Sequence, residues 1–257
     1  MLNRYRVEKL YRGFESLSLR QHLRNLIWER AEPVQRPAPA PLSRDQIVRT
    51  AIAIADSPGL EAVSLRKVGA ALGAGPMRLY RYLTTKSELL DLMVDVVYGE
   101  MVPASSPAGN WRDVIRAIAH DTSQAAHKHE WFVDLLGGRP HQGPNALLHL
   151  EASLAAFAND PGFGDIDLVL QAVKTVNAYV IGTIQSELRE VRAERESGLN
   201  KTEWQGATGP YLFRMIETGQ FPTIARVVHE ANHPSPDIAF EQGLNYVLDG
   251  IAAQLAG

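Results

Sequence analysis

Residues 64–86 read SLRKVGAALGAGPMRLYRYLTTK and carry five basic residues without one acidic residue. Two short segments with apolar residues at helical spacing flank the turn at residues 73–75, which contains two glycines. The apolar residues that define this spacing are Leu65, Val68, Leu72, Leu79 and Leu83. Such a pattern is typical of a helix-turn-helix, in which the second helix enters the DNA major groove and flanking cations contact phosphates.

The composition of the whole chain predicts an all-α protein. Alanine, leucine and apolar residues at a period of about 3.6 recur along the chain, whereas β-branched runs with a period of two are absent. The 257 residues are 45% hydrophobic, which suffices for a substantial core in one or two domains. The chain has no cysteine, which suits a reducing compartment, so we expect a cytoplasmic protein. No apolar run approaches the roughly 20 residues that span a bilayer, so we expect no membrane association.

Charge is distributed unevenly along the chain. The net charge of -3 divides into +4 over residues 1–41, zero over 42–102 and -7 over 103–257. An acidic C-terminal part disfavours a nucleic acid that lies across it, which argues against a DNA-packaging protein. The five cations of residues 64–86 therefore form a local basic surface and indicate a DNA contact confined to this motif.

Turn and linker signals divide the chain into three segments. Residues 1–41 are an N-terminal extension that ends in a Pro/Ala linker, and we expect this segment to be disordered. Residues 42–102 are expected to hold three or four helices and to form a helix-turn-helix domain. Capping boxes at residues 43–46 and 85–88 would open the first and the fourth of these helices. Residues 103–257 contain the remaining helical patterns.

Several segments resemble the tetracycline-repressor (TetR) family of transcriptional regulators. LRKVGAALG and LYRYLTTKSELL, at residues 65–73 and 79–90, closely resemble the DNA-binding signature of that family. GNWRDVIRAIAH, LLGGRP, GPNALLHLEASLAAF and FEQGLNYVLDGIAAQL resemble its C-terminal ligand-binding and dimerisation domain. The resemblance covers about residues 42–257. It implies a homodimeric repressor that binds a near-palindromic operator in double-stranded DNA and is released by a small-molecule effector.

The resemblance also assigns DNA contacts to individual residues. It assigns base contacts to five residues of the second, recognition helix: Pro76, Met77, Arg78, Arg81 and Tyr82. It assigns phosphate contacts to Ser64, Arg66, Tyr80 and Lys86, and Lys67 belongs to the same basic cluster. The chemistry agrees with this division, because arginine reads guanine O6 and N7 and a methionine side chain suits a thymine methyl group. A single arginine would be read as a solvated surface charge, but five cations without an acid indicate DNA.

The effector site is expected among the helices between residues 110 and 196. Its candidate polar and aromatic residues are His120, Trp131, His149, Asn177, Tyr179 and Thr183. Each of them has an alternative interpretation as an ordinary core or surface residue. In the tetracycline repressor a histidine before the Gly-x-Arg-Pro turn helps to hold a magnesium–drug complex. Leu135 matches that position here, which argues against a magnesium–tetracycline effector.

No metal site, cofactor or catalytic site is expected. His127 and His129 lie two residues apart, so their side chains would point about 200° apart on a helix. The sequence has no HExxH, P-loop or GxSxG motif, so we expect no enzyme. The alternative hypothesis is a helical small-molecule-binding protein or enzyme with a vestigial helix-turn-helix. Activation of transcription instead of repression also stays open.

Dimerisation is predicted from two apolar stripes at residues 166–188 and 238–255. The second stripe consists of Ile238, Leu244, Val247, Leu248, Ile251 and Leu255. Their combined apolar surface exceeds what a monomer exposes, so a two-fold dimer would bury them. A charge at Leu248 is therefore expected to yield monomers that bind DNA poorly.

The N-terminal extension admits three interpretations. Its net charge of +4 suits a basic arm that reaches the minor groove beside the operator. The second is a disordered extension, because a Pro/Ala linker uncouples it from the remainder. The third is a transfer-RNA gene translated from an early start codon, since residues 13–16, GFES, can be encoded by a sequence that contains GTTCGA. We favour the second and third, which predict that deletion of residues 1–40 leaves the fold and the operator affinity nearly unchanged.

Overall fold

The computed structural model describes residues 26–33, 42–101 and 110–255. Over these ranges the chain forms ten α-helices and no strand, which confirms the all-α prediction. The helices are α1 Arg44–Asp56, α2 Leu65–Ala71, α3 Pro76–Leu79, α4 Lys86–Glu100, α5 Trp111–Lys128, α6 Pro144–Ala158, α7 Ile166–Ser197, α8 Lys201–Glu217, α9 Pro222–Glu230 and α10 Pro236–Leu255. None of the described helices is long and apolar enough to cross a bilayer.

The chain divides into two compact units. Of the described residues, 26–33, 42–99 and 141–147 belong to the first unit, and 100–101, 110–140 and 148–255 belong to the second. The division lies close to the boundary expected at residue 102. The difference is that residues 141–147, from the C-terminal part of the sequence, join the first unit.

A buried carboxylate explains why residues 141–147 join the first unit. Asp95 of α4 is 4% exposed. Its Oδ1 accepts hydrogen bonds from the backbone N–H groups of Asn145 and Ala146, each at 2.9 Å, in the first turn of α6. A helix N-terminus leaves such donors unsatisfied, so a carboxylate there both pairs them and opposes the helix dipole. Gly143 passes so close to Asp95 that a Cβ would lie 2.1 Å from Oδ1, which requires glycine.

Local capping and apolar spacing determine the helices of the first unit. Ser43 and Gln46 form the predicted capping box of α1, which buries Ile47 and Ala51 on its inner face. Ser64 caps α2 by accepting a hydrogen bond from the backbone N–H of Lys67 at 3.2 Å. Pro76 occupies the first turn of α3, where the N–H that proline lacks needs no partner.

The N-terminal segment, residues 26–33, is ordered against this domain. It contains a 3₁₀ turn at Ile27–Glu29, and the Ile27 side chain is 4% exposed. The expectation of disorder over 1–41 is therefore wrong for this part. The physical reason is that the segment buries an apolar side chain, forms an ion pair with Glu88 and forms hydrogen bonds with Arg44, which together oppose the entropy of a free chain. The interpretations proposed for residues 13–16 and for the Pro/Ala linker from residue 34 onward concern residues outside the described ranges.

The second unit is built around α5, α7 and α10. Apolar residues spaced by three or four along α7 and α10 form its core: Val173, Val176, Val180, Ile184, Leu188, Phe240, Leu244 and Leu248. A second cluster packs the rings of Trp111, Phe157 and Phe163 with centroids 4.9–5.6 Å apart. By contrast, α8 and α9 contain no buried residue.

Candidate DNA-binding surface and effector region

A close backbone approach shapes the turn between α2 and α3. The Ala74 N–H donates to the Gly69 carbonyl at 2.8 Å, and a Cβ on Gly69 would lie 2.7 Å from the Ala74 carbonyl oxygen. Gly73 takes the left-handed conformation, with φ of 61°, that L side chains disfavour. These two glycines let the chain reverse within a few residues. Leu79 is fully buried there, so the remainder of α3 is oriented outward.

Nine of the ten predicted DNA-contacting side chains lie at least partly open to solvent. The exposed ones are Ser64, Arg66, Lys67, Pro76, Met77, Tyr80, Arg81 and Lys86, and Arg78 is half-buried. Met77 is the most exposed large apolar side chain of the described residues, at 79%. An exposed apolar side chain that lies next to Arg78 in a basic stretch of sequence suits contact with a base edge in a DNA groove.

The structure corrects the assignment of Tyr82. Its side chain is 7% exposed, and its hydroxyl donates to the Leu42 carbonyl at 2.5 Å. A phenol held in the core cannot reach a base edge. Tyr82 therefore connects the end of the DNA-binding turn to the beginning of α1. The family resemblance assigned Tyr82 to the recognition helix, but α3 ends at Leu79 and the Tyr82 side chain packs into the core.

Glu88, which the sequence suggested only as part of a capping box, has a larger role. Its carboxylate accepts from the Thr84 N–H at 2.7 Å and from the Thr84 hydroxyl at 2.8 Å. Its own N–H donates to the Thr85 hydroxyl at 3.1 Å. Half of the predicted box is thus present, and the carboxylate reaches one residue further back than expected. These bonds fasten the turn between α3 and α4, which contains Arg81 and precedes Lys86 at the start of α4.

Two of the six effector candidates take part in helix packing in the second unit. His120 of α5 pairs with Glu241 of α10, which also accepts from Arg116 at 2.7 Å. The Tyr179 hydroxyl of α7 donates to the Phe240 carbonyl of α10 at 2.8 Å. The rings of His120 and Tyr179 both contact the Phe240 ring, so the structure brings these two candidates together around one core residue. Their ordinary structural interpretation is the better one.

The other four candidates occupy different positions in the second unit. Trp131 is buried and packs against the rings of His129 and Phe132. Burial lowers the pKa of His149 to about 4, so its imidazole is neutral at pH 7. Asn177 and Thr183 lie half-buried on α7. A neutral imidazole and a buried indole are groups that a largely apolar ligand site uses.

A cavity of about 330 Å³ lies along α7 and α10. Its walls are mainly apolar and include Phe163, Leu168, Tyr246 and Ile251. None of the six effector candidates lines it. Its lining includes residues of the two apolar stripes from which dimerisation is predicted, such as Leu168 and Ile251.

The two histidines considered for a metal site have different partners. His127 Nε2 lies 3.1 Å from Glu187 of α7, and His129 Nε2 lies 3.3 Å from Glu100. Burial would lower the pKa of His127, but the Ser123 carbonyl and the Glu187 carboxylate outweigh it and raise the pKa. No group of three potential metal ligands occurs among the described residues.

Comparison with known proteins identifies relatives over most of the chain. Residues 102–255 match the family model of the tetracyclin repressor-like C-terminal domain. The HTH-type transcriptional repressor DrrR1 of Streptomyces coeruleorubidus is 35% identical over 90% of this chain and 85% of its own length. An HTH-type transcriptional regulator of Saccharopolyspora erythraea is 32% identical over 88% of this chain and 91% of its own. Among solved structures, Streptomyces coelicolor ActR in complex with actinorhodin superimposes with a TM-score of 0.71 at 23% identity, covering 85% of this chain and all of its own.

The similarity to DrrR1 extends into the N-terminal extension. Residues 42–257 make up 216 of the 257 residues, about 84% of the chain, whereas the match covers 90%. Some residues before 42 therefore align with a second protein. That disfavours the transfer-RNA interpretation for this part of the extension and agrees with its order in the structure.

Proposed function

The chain belongs to the tetracycline-repressor (TetR) family of DNA-binding transcriptional regulators, and from this membership we propose how it reads DNA and how it is controlled. Arg78 and Arg81 would contact guanines in the major groove, and Met77 a thymine methyl group. Ser64, Arg66, Lys67, Tyr80 and Lys86 would contact phosphates around them. Pro76 would bring the first turn of α3 against the bases. The exposure of Met77, within a stretch of 23 residues that carries five cations and no acid, is the observation that supports this proposal.

Selection of binding duplexes from random DNA by the purified protein supplies the operator for the test. Arg78→Ala should cost about 1–3 kcal/mol and relax the preference at one base pair. Lys86→Ala should weaken all duplexes about equally and lower the salt slope by about one unit. Arg49→Ala is the matched control, since Arg49 lies in the same unit but pairs with Asp45 on an exposed face of α1. Unchanged affinity and preference in Arg78→Ala would contradict the assignment of that residue.

We propose a homodimer in which α7 and α10 of two protomers pack together. Both helices expose large apolar side chains, among them Ile166, Leu168, Ile238 and Tyr246. A two-fold axis would cover the same surface on both protomers and place two α3 helices about one turn of DNA apart. The aromatic side chains of α8, such as Trp204, are exposed as well and would be covered in the same assembly.

The structure changes the substitution that tests the dimer. Leu248 and Leu244 are 0% exposed within a single chain, so a charge at Leu248 would unfold the second unit instead of separating protomers. Tyr246 is 76% exposed and lies on the same helix. Tyr246→Glu should therefore yield folded monomers with weakened operator binding, as measured by sedimentation and circular dichroism. A wild-type protein that sediments as a monomer at micromolar concentration would refute the dimer.

We propose that an organic small molecule binds the second unit without a metal ion and releases the operator. ActR, whose fold this chain shares, has been solved with actinorhodin, and Leu135 stands where the tetracycline repressor has a metal-binding histidine. Trp131 and His149 are the side chains we assign to this site. Compounds that quench tryptophan fluorescence in the wild type but not in Trp131→Phe, and that also release the selected duplex, would identify effectors at this site. A requirement for magnesium would contradict the proposal.

The alternative function is a helical binding protein or enzyme with a vestigial helix-turn-helix. The intact caps and glycines of the turn between α2 and α3 favour DNA binding over this alternative. Absence of any sequence preference in the selection experiment would favour the alternative instead. We propose a non-catalytic regulator that acts in the cytoplasm, where its operator would lie.

A further inference from the structure

The N-terminal segment, residues 26–33, contacts two separate elements of the DNA-binding unit. The Arg30 guanidinium lies 2.5 Å from Glu88 at the start of α4. The Arg30 carbonyl accepts from the Arg44 guanidinium at 3.0 Å, and Glu32 accepts from the Arg44 backbone N–H at 3.2 Å at the start of α1. The segment thus connects the beginnings of two helices that are more than forty residues apart in sequence.

The Arg30–Glu88 ion pair differs from an ordinary surface pair. The two side chains are 22% and 21% exposed, whereas those of Arg49 and Asp45 on α1 are 75% and 60% exposed. Exposed pairs contribute little because water screens them and ordering two long side chains costs entropy. A pair that is mostly shielded, beside the buried Ile27, is held in place by its surroundings. Burial would raise the pKa of Glu88, but Arg30 and the Thr84 donors outweigh it and lower the pKa.

Glu88 links Arg30 to the turn between α3 and α4, because it contacts both. The same carboxylate that meets Arg30 accepts both hydrogen bonds from Thr84, in the turn between α3 and α4. Lys86, assigned to a phosphate, lies between Thr84 and Glu88 in sequence and begins α4. A carboxylate shared by an arginine and two turn donors restricts the rotation of all three groups.

We propose that the N-terminal segment positions the DNA-binding turn, with Arg30 acting through Glu88 and Thr84 on the placement of Lys86. This inference rests on the proposed function, because it assigns the segment a part in DNA binding. Arg30 is a positioning residue, since its guanidinium is engaged with a carboxylate and not directed to a phosphate. The segment lies outside the region that resembles the family's DNA-binding signature.

The first test substitutes Arg30 and measures affinity for the selected duplex over a series of salt concentrations. Arg30→Ala should weaken binding about tenfold, because it leaves a shielded carboxylate without its charged partner. The salt slope should fall by no more than the one unit that Lys86→Ala loses, since the Lys86 phosphate contact is the one affected. Arg30→Lys should recover most of the affinity. Arg49→Ala, which removes an arginine from an exposed pair in the same unit, should bind as the wild type does.

A double-mutant cycle with Lys86 separates positioning from general destabilisation. If Arg30 acts by placing Lys86, Arg30→Ala should cost less than about threefold once Lys86 is already alanine. A tenfold loss in both backgrounds would overturn the proposal in favour of a merely structural role. A salt slope in the double variant that falls about one further unit below that of Lys86→Ala would overturn it in favour of a direct phosphate contact by Arg30.

Truncation from the N-terminus provides an independent test. A chain that begins at residue 26 should bind the selected duplex nearly as well as the full chain, whereas one that begins at residue 34 should bind about tenfold more weakly. Loss of affinity already at the first truncation would overturn the proposal and assign the effect to the basic charge of residues 1–25. If the full chain shows no sequence preference at all, the proposed function fails. If it does and both truncated chains bind equally well, only this inference fails.

Discussion

The helix-turn-helix, residues 64–86, and the α8–α9 region, residues 201–230, expose apolar side chains in different surroundings. In the helix-turn-helix, Met77 and Tyr80 are exposed within a stretch that carries five cations. Beneath them the backbone is closely packed, as at Gly69 against Ala74. Between residues 201 and 230, seven large apolar side chains are exposed together and neither helix has a buried residue. An isolated exposed apolar group within a basic surface suits a DNA groove, whereas a broad apolar surface suits a protein partner.

The same contrast extends to how each region is held in place. A single carboxylate, Glu88, ties the turn between α3 and α4 at distances of 2.5–2.8 Å to its partners. In the second unit, α8 is stabilised by local contacts, such as the capping box between Asn200 and Glu203. Substitutions in the turn are therefore expected to change DNA binding strongly, whereas single substitutions on α8 are expected to be tolerated in an isolated protomer.

Two glycine substitutions test this contrast and carry the largest expected difference. Gly69→Val should destabilise the first unit by about 3 kcal/mol and abolish operator binding, because a side chain at Gly69 meets the Ala74 carbonyl. Gly206→Ala is the matched substitution in α8, where a Cβ meets nothing within 4 Å. It should stabilise that helix by up to about 1 kcal/mol. Urea unfolding measures the stability of each variant, and binding to the selected duplex measures its operator affinity. Equal effects of the two substitutions would refute the difference proposed between the two regions.

The second unit should lose stability as the pH falls, because of His149. Its pKa in the folded protein is about 4 against an ordinary value of 6.5, so the unfolded chain binds a proton first. Stability from this group is complete above pH 6.5 and declines between about 6.5 and 4, by at most about 3 kcal/mol. His127, with a raised pKa, acts in the opposite direction above pH 6.5.

Comparison of the wild type with His149→Gln isolates the His149 effect from that of the other groups. Unfolding free energies at pH 7 and pH 4.5 should differ less in the variant than in the wild type. The operator contacts of the first unit are not involved, so binding to the selected duplex at pH 7 should be unaffected in a variant that remains folded. An equal pH dependence in both proteins would show that His149 titrates normally.

The smallest expected effect concerns the corrected residue, Tyr82. Tyr82→Phe removes the hydrogen bond to the Leu42 carbonyl and should cost about 1 kcal/mol of stability. Base preference in the selection experiment should not change, because the phenol lies in the core. Altered preference at one base pair would restore the assignment of Tyr82 to the recognition surface.

Local patterns in the sequence determined much of the first unit. Ser43 caps the helix that it was expected to cap, Ser64 caps α2, and Gly73 takes the left-handed conformation in the turn between α2 and α3. These features depend on residues three or four positions apart, so spacing alone encodes them. The resemblance to the TetR family came from this motif together with C-terminal segments, and the comparisons confirm it.

Only the tertiary structure decided which side chains those helices bury and which they present. Tyr82 became a core residue, His120 a partner of Glu241, and Leu248 a residue buried within one protomer. Arg30 forms an ion pair with Glu88, which lies fifty-eight positions further along the sequence. Each of these outcomes depends on which distant helix packs opposite a residue, and the periodicity of one helix contains no information on its neighbour. The sequence therefore determined the elements and the family, and long-range packing determined the roles of single residues.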